Sequence, residues 1–190
     1  MSGNEGGKMN LVKFLLNDVG RHDFILGHLK SPILEIGTDT GKETKKIREL
    51  GYQIVCTDIN PSRAIFIQDS EIIRHDIEKE KITFGKFNTI LLFDVIEHLQ
   101  HPNAALQNIR KALNEKGKLI VATPNVLGIK NRMRFLFGDG SYFAPERENE
   151  HIRFFTPQTL DKIMEQNGFQ KIEALEKGSI TSVYERGKDD

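Results

Sequence analysis

Cysteine is nearly absent from this chain. Cys56 stands alone, so no internal disulfide and no cysteine zinc cluster can form. It lies in the apolar run Ile54-Val55-Cys56, the setting of a buried inert thiol rather than a nucleophile. Net charge is absent too, with 27 basic residues against 27 acidic ones. No global field therefore draws the protein onto nucleic acid or an anionic membrane, although a local patch is still allowed. No apolar run reaches the roughly 18 residues of a membrane span, and the chain opens polar and glycine-rich, unlike a signal peptide. A soluble, cytoplasmic protein is expected. Internal repeats and an interdomain linker are also lacking. What remains, 38% hydrophobic and 28% charged over 190 residues, is the composition of one globular domain with a real core.

Residues 1–8 read as a disordered lead-in and 9–30 as a helical cap, covering a sheet edge or forming a flap over a ligand. From Ser31 the pattern alternates between strand and helix. Strands are predicted at Ile33–Ile36, Gln53–Thr57, Glu71–Arg74, Phe87–Phe93 and Lys118–Ala122, with two closing strands at Phe169–Leu175 and Ile180–Tyr184. Helices are predicted from Gly41 to Leu50, from Pro61 to about Ile67, over Pro102–Asn114 and over Thr156–Asn167. Gly51 and Gly168 are placed to end the first and last of these, and Pro61 and Pro157 to begin theirs. Residues 126–153 show no periodicity and read as a variable loop; the tail from Gly187 to Asp190 reads as frayed. Crossover helices between strands imply an α/β fold, a Rossmann-like three-layer sandwich. Its seven-stranded sheet is mostly parallel with an antiparallel C-terminal strand.

In such sheets ligands bind at the carboxyl ends of the strands, where strand order reverses. Those ends carry Gly37 to Gly41, Asp58, Asp76, Asp94 and Asn125. The first strand runs through Glu35 into Gly37-Thr38-Asp39-Thr40-Gly41, a strand-to-helix turn of the kind that receives a nucleotide-like ligand. Asp58 follows 21 residues after Gly37, where a carboxylate can accept hydrogen bonds from two ribose hydroxyls. The dinucleotide fingerprint fails because Asp39 stands between the glycines, and a carboxylate sits badly beside a pyrophosphate. The pattern favours a nucleoside bearing a positively charged amino acid over NAD.

The segments Ile33-Leu34-Glu35-Ile36-Gly37 with Gly41, Asp58-Ile59-Asn60-Pro61, Phe93 to Leu99, Gly117 to Val121, Thr123-Pro124-Asn125 and His151 to Pro157 occur in one order over residues 31–175. In this the chain resembles class I S-adenosylmethionine-dependent methyltransferases, in particular the small-molecule group that includes ubiquinone-biosynthesis O-methyltransferases. The resemblance implies a single methyltransferase domain over 1–190, with 126–153 as the substrate loop. It implies S-adenosylmethionine as cofactor and S-adenosylhomocysteine as product. Glu35 and Gly37 would face the cofactor's amino-acid end, Asp58 its ribose, and Asp76 with Ile77 its adenine, with Phe93 and Asp94 as a floor under the methionine part; Thr38, Asp39, Gly41 and Ile59 complete the expected cofactor-binding set. Asp39 departs from the family's glycine; it would contact the cofactor's ammonium, crowd the site, or tolerate the unusual backbone and point to solvent.

A hydroxyl acceptor must lose a proton, a task suited to histidine near neutral pH. His98, His101 and His151 are the candidate bases, with Glu97 as a second possibility. Asp94, Glu97, His98 and His151 could also converge on a divalent ion if their turn is helical, an arrangement similar to the magnesium sites of small-RNA 2′-O-methyltransferases. With Asp94 expected to face the cofactor, no metal is assigned. Lys130, Arg132, Arg134 and Arg147 among Phe135, Phe137, Tyr142 and Phe143 suit an anionic or aromatic small-molecule acceptor, or a lid packing its aromatics on the sheet. The expected reaction is methyl transfer, at oxygen. The alternatives are a non-catalytic adenosyl-binding module, a metal-assisted RNA 2′-O-methyltransferase and an NAD-dependent oxidoreductase. No Asn-Pro-Pro-Tyr stretch follows the fourth strand, against adenine-N6 chemistry on DNA, and the lone strand cysteine argues against cytosine C5 chemistry.

Overall fold

A computed structural model describes residues 19–138, 151–177 and 179–188. The lead-in 1–8, residues 9–18 of the expected cap, residues 139–150 of the expected loop and the last two residues lie outside the described ones. The elements are α1 (Val19–Leu26), β1 (Ile33–Ile36), α2 (Lys42–Glu49), β2 (Ile54–Asp58), β3 (Ile72–Arg74), β4 (Phe87–Phe93), α3 (Pro102–Ala112), β5 (Leu113–Pro124), α4 (Ile129–Leu136), α5 (Pro157–Gln166), β6 (Phe169–Lys177) and β7 (Ser179–Arg186).

All seven strands join one sheet in the order β3-β2-β1-β4-β5-β7-β6. β1 pairs in parallel with β2 on one side and β4 on the other, so strand order reverses beside β1. β7 runs antiparallel to both β5 and β6, which leaves it the one reversed strand of the described sheet. The expected Rossmann-like architecture is therefore the observed one.

The sheet is buried on both faces, which is why its central strands read as continuous apolar runs. Leu34, Ile90, Leu92, Leu119 and Val121 point into the cluster that α3 and α5 cover with Leu106, Ile109, Leu160 and Met164. Ile33, Leu91, Ile120 and Val183 point the other way, against Ile47 of α2 and Phe24 and Ile25 of α1. Each side chain of this size contributes roughly 1.5–3 kcal/mol on full burial. α1 thus occupies part of the predicted 9–30 cap and covers the sheet.

Local chemistry explains the ends that were predicted well. α2 closes in a Schellman motif: Gly51 N–H donates to Arg48 O (2.9 Å), Tyr52 N–H donates to Ile47 O (3.3 Å), and Gly51 has φ 89°. α5 opens on Thr156, whose Oγ1 accepts from Thr159 N–H at 3.2 Å while Thr159 Oγ1 accepts from Thr156 N–H at 2.9 Å.

Four expectations are corrected. The helix predicted from Pro61 to Ile67 is a single 3-10 turn, Pro61–Arg63, after which the chain extends. Thr40 O captures the N–H groups of both Ile65 and Phe66 (3.0 Å each), so they are not free for a helix. β5 starts at Leu113, pairing with Phe87, and α3 stops at Ala112; an irregularity near Lys116 (φ 58°) precedes the regular ladder from Lys118. Part of the supposed loop, Ile129–Leu136, is α4. The tail is pinned rather than frayed at Gly187 and Lys188, whose carbonyls accept from Arg110 Nη2 (3.1 and 3.2 Å).

Candidate cofactor and active site

The turn after β1 is built from backbone that few residues tolerate. Gly37 (φ 77°), Asp39 (φ 48°) and Gly41 (φ 79°) are all left-handed. A Cβ on Gly37 would lie 2.3 Å from Val95 Cγ2, and one on Gly41 would lie 2.4 Å from Ile67 Cγ1. The loop hangs from β2: Gly37 and Thr38 N–H donate to Thr57 O at 2.9 and 3.1 Å. Asp58 then grips the loop itself. Its Oδ2 accepts from Asp39 N–H at 2.7 Å and its Oδ1 from Asn60 N–H at 2.8 Å. Gly37→Ala is expected to destabilise the fold by roughly 1–3 kcal/mol, because Val95 must shift and the backbone is strained. Thermal unfolding measures the first effect, and a cofactor titration should show affinity lost alongside it.

Around this loop lies a cavity of about 580 Å³, lined by Glu35, Gly37, Thr38, Asp39, Asp58, Ile59, Asp76, Ile77, Phe93 and Asp94 among others. That volume is in the range of small-molecule sites. Of the residues expected to bind cofactor, only Gly41 does not line it; its missing side chain makes room for Ile67 instead. Asp39 neither fills the cavity nor is left free. Its Oδ1 lies 2.8 Å from Arg63 Nε, both side chains being about half exposed (48% and 58%), so the pair sits at the rim.

The acids differ in state. Burial pushes Glu35 up to about 7, only partly opposed by the Thr44 hydroxyl, which donates to Glu35 Oε2. Burial also raises Asp94, against the nearby charges of Arg21, His151 and His98. Lys79, with Nζ 2.8 Å from Asp76 Oδ2, holds Asp76 below the usual carboxylate range.

Beyond the cavity's Asp94 end, the 3-10 turn Ile96–His98 presents a second group of side chains. His98 lines the cavity, while Glu97 and His151 are not among its lining residues. Glu97 is 1% exposed and raised by burial; Thr123 Oγ1 donates to its Oε2 at 2.9 Å. Its other oxygen, Oε1, and His98 Nδ1 are buried without hydrogen-bond partners among the described residues. The backbone brings His151 to them: Ile152 and Arg153 N–H donate to Glu97 O (3.1 Å each), and Arg153 also donates to Leu99 O and Gln100 O at 2.8 and 2.7 Å. The rings of His98 and His151 then meet edge to face at 4.6 Å, with His151 Nε2 4.0 Å from Glu97 Oε1. One ligand atom from each of Glu97, His98 and His151 lies within 4.8 Å of the others, a spacing that can hold a metal ion. Asp94 does not belong to that group. His101 stands apart, exposed before α3, its N–H donating to Glu78.

Some residues of this region give no signal in the sequence. Arg21 of α1 stacks over the Phe93 ring at 5.7 Å, a contact between segments far apart in the chain. Thr44, whose hydroxyl donates to Glu35, looks like an ordinary helix residue, and Thr123, although part of a recognisable segment, gives no hint that it bonds Glu97. His75 lines the cavity between Asp58 and Asp76, buried, with Nε2 lacking a partner among the described residues. Only its position after β3 could have drawn attention to it. Arg147, Tyr142 and Phe143 of the expected acceptor loop lie outside the described residues.

The same architecture occurs in known proteins. Residues 13–174 match a family described as a methyltransferase domain. Two curated relatives are ubiquinone biosynthesis O-methyltransferases. The one from Nitrosococcus oceani is 23% identical over 199 residues, covering 92% of this chain and 81% of the relative. The one from Dinoroseobacter shibae is 24% identical over 176 residues, covering 80% and 67%. Among solved structures, a SAM-dependent methyltransferase of Thermotoga maritima superposes with TM-score 0.70 at 18% identity, covering 96% of this chain and 95% of its own. Magnesium protoporphyrin IX methyltransferase of Synechocystis with bound SAH does so with TM-score 0.62 at 17% identity, covering 94% and 81%.

Proposed function

We propose that this chain, which belongs to the methyltransferase domain family, transfers a methyl group from S-adenosylmethionine to a hydroxyl oxygen of a small molecule. The observation that carries the reading is the cavity at the reversal of strand order. It is lined by Glu35, Asp58, Asp76 and Asp94 from the ends of four strands, with His98 at one end. The residues fit the cofactor. Glu35 is an acid buried without an ion-pair partner among the described residues, and an amino-acid ammonium supplies that complement. Each Asp58 oxygen keeps a lone pair beyond its backbone bond, enough to accept from a ribose hydroxyl. Asp76 and Ile77 would take the adenine, and Phe93 and Asp94 would support the methionine part.

When bound, the cofactor supplies an electrophilic methyl on a sulfonium sulfur. The chain's own work is alignment and proton removal. His98 would take the acceptor's hydroxyl proton, leaving that oxygen ready to receive the methyl group that the cofactor would supply. His151 and Glu97 hold His98 in place from behind. Oxygen is favoured because the two curated relatives are named as O-methyltransferases.

A second reading has its own observation. Glu97 Oε1 and His98 Nδ1 are buried without hydrogen-bond partners among the described residues, and one ligand atom from each of Glu97, His98 and His151 lies within 4.8 Å of the others. One carboxylate and two imidazoles would hold a divalent transition ion, which would supply charge next to the acceptor oxygen.

Calorimetric titration with S-adenosylmethionine, S-adenosylhomocysteine and NAD, followed by turnover over a panel of phenolic and aliphatic hydroxyl acceptors, tests the main reading. Micromolar affinity for the adenosyl cofactors, with label transferred to an acceptor oxygen, is the expected result. Binding without transfer to any acceptor would leave a cofactor-binding module. A thermal shift with NAD alone would favour an oxidoreductase, and silence toward the adenosyl cofactors at millimolar concentration would sink both adenosyl readings.

A further inference from the structure

We propose that Arg21 sets the acceptor's class: its guanidinium binds a carboxylate on the same small molecule whose hydroxyl is methylated. The inference rests on the methyl-transfer reading above and narrows its acceptor to a hydroxy-acid. Arg21 stands near the start of α1 and is half-buried. Its guanidinium carbon lies 5.7 Å from the centre of the Phe93 ring. Among the described residues, the other half-buried arginines are all engaged. Arg48 donates to Glu71, Arg110 to Gly168 O, Arg153 to Leu99 O and Arg186 to Leu113 O. Arg21 has no hydrogen bond and no ion pair among those residues, which leaves the donors of its fork for a ligand.

The place is fixed by packing. Phe24 and Ile25 of α1 and Phe93 of β4 all pack on one apolar cluster, so the helix that carries Arg21 and the ring beneath it are held together. A cation positioned in advance binds an anion without first ordering a long side chain. Phe93 and Asp94 line the cavity, as His98 does. The charges of Arg21, His151 and His98 all act on the Asp94 carboxyl, so the guanidinium and the candidate base stand around one side chain. Burial works against the charge of Asp94, which weakens it as a competitor for Arg21. A small hydroxy-acid can present its hydroxyl to His98 and its carboxylate to Arg21 at once.

The cofactor's own carboxylate has a different partner. Lys42 lines the cavity beside the glycine turn, at the end where the cofactor's amino-acid part would lie, and Arg21 is not among the lining residues. The sequence expectation gave acceptor binding to the basic and aromatic segment after β5. There Arg132 is exposed, and Phe137 is 77% exposed, so a lid packing its aromatics on the sheet does not hold for Phe137.

Calorimetry on the full chain loaded with S-adenosylhomocysteine tests this, with hydroxybenzoates and aliphatic hydroxy-acids each measured beside the neutral carboxamide. At least one acid should bind about 10- to 100-fold tighter than its amide, the range of a charge-assisted hydrogen bond. Arg21→Met should erase that preference. Arg21→Lys, which keeps the charge and disturbs the packing least, should cut it about threefold or more because the planar fork is lost. Both variants should bind S-adenosylhomocysteine as the wild type does, and in turnover the acid should show a raised KM with little change in kcat. No preference for any acid over its amide, or a preference that both variants keep in full, would overturn the proposal. So would a loss of S-adenosylhomocysteine affinity in Arg21→Met, which would assign the guanidinium to the cofactor's carboxylate. A wild-type chain silent toward S-adenosylhomocysteine would instead bring down the methyl-transfer reading, and the acid-to-amide comparison on the unloaded chain would then decide the role of Arg21 by itself.

Discussion

Glu35→Gln is expected to melt higher than the wild-type protein at pH 8 and yet to bind S-adenosylmethionine about 30- to 100-fold more weakly. The two effects share one cause. Burial lifts the Glu35 carboxyl to about 7 in the folded chain, from 4.5 when exposed. Between those values the folded protein keeps a proton that the unfolded chain gives up, so stability must fall as pH rises through that window. It is fully present below about 4.5 and fully lost above about 7. The loss is on the order of 3 kcal/mol, or about 6–12 °C in a domain of this size. Glutamine still accepts the Thr44 hydroxyl but never ionises, so the gap in melting temperature should be absent near pH 4.5 and reach its plateau above pH 7. Cofactor affinity should move the opposite way. A ligand ammonium prefers the ionised carboxylate, so wild-type affinity should rise up to tenfold per pH unit between about 5.5 and 7 and then level off above about 7, where Glu35 is already ionised. In the variant that rise should vanish. Equal affinity of the two proteins across the pH range would remove Glu35 from the cofactor site.

That behaviour follows from placing an acid in the third position of a four-residue buried strand. The position was legible: in an α/β chain, an apolar run that stops at Glu35 and turns at Gly37 marks a central strand reaching a ligand-facing turn. The other strand ends were legible for the same reason, each apolar run closing on Asp58, Asp76 or Asp94, or just before it. What the pattern could not carry is contact between segments distant in sequence. Pro61 is a sound helix start, but Thr40 O, twenty-odd residues earlier, takes the N–H groups the helix needed. Of the three foreseeable fates of Asp39, the structure comes nearest the last, a left-handed backbone with a half-exposed side chain, and adds an ion pair with Arg63 at the cavity rim that the sequence did not reveal. Asp58 was readable as a ribose acceptor, but its two bonds to the loop backbone, which bind the glycine turn to β2, were not. α4 escaped because its apolar stripe, facing outward, lies among aromatics and arginines that fit no core pattern.

The group behind His98 decides how proton removal works, and here the two readings of the site diverge. If His98 is the base, His98→Ala should lower kcat by roughly 10²- to 10⁴-fold with cofactor affinity unchanged, and the acid limb of the pH–rate profile should disappear. His151→Ala should then have a smaller effect, because His151 only meets the His98 ring at its edge. Glu97→Gln should also be mild in rate. In stability it should show a gain over the wild type at high pH, since it removes an acid that burial has already raised, and the melting temperature reads that gain. If instead Glu97, His98 and His151 hold a divalent ion, the three substitutions should be nearly equivalent in rate, a chelator should reproduce them in the wild type, and each variant should lose the ion measured by elemental analysis. The geometry permits both, since the three donor atoms lie within 4.8 Å while His98 alone of the three reaches the cavity. The base is favoured, because of these three side chains only His98 lines the cavity. Full activity of His98→Ala at neutral pH, with no metal bound to the wild type, would defeat both readings and shift the role of base to Asp94, whose carboxyl is raised by burial beside the same cavity.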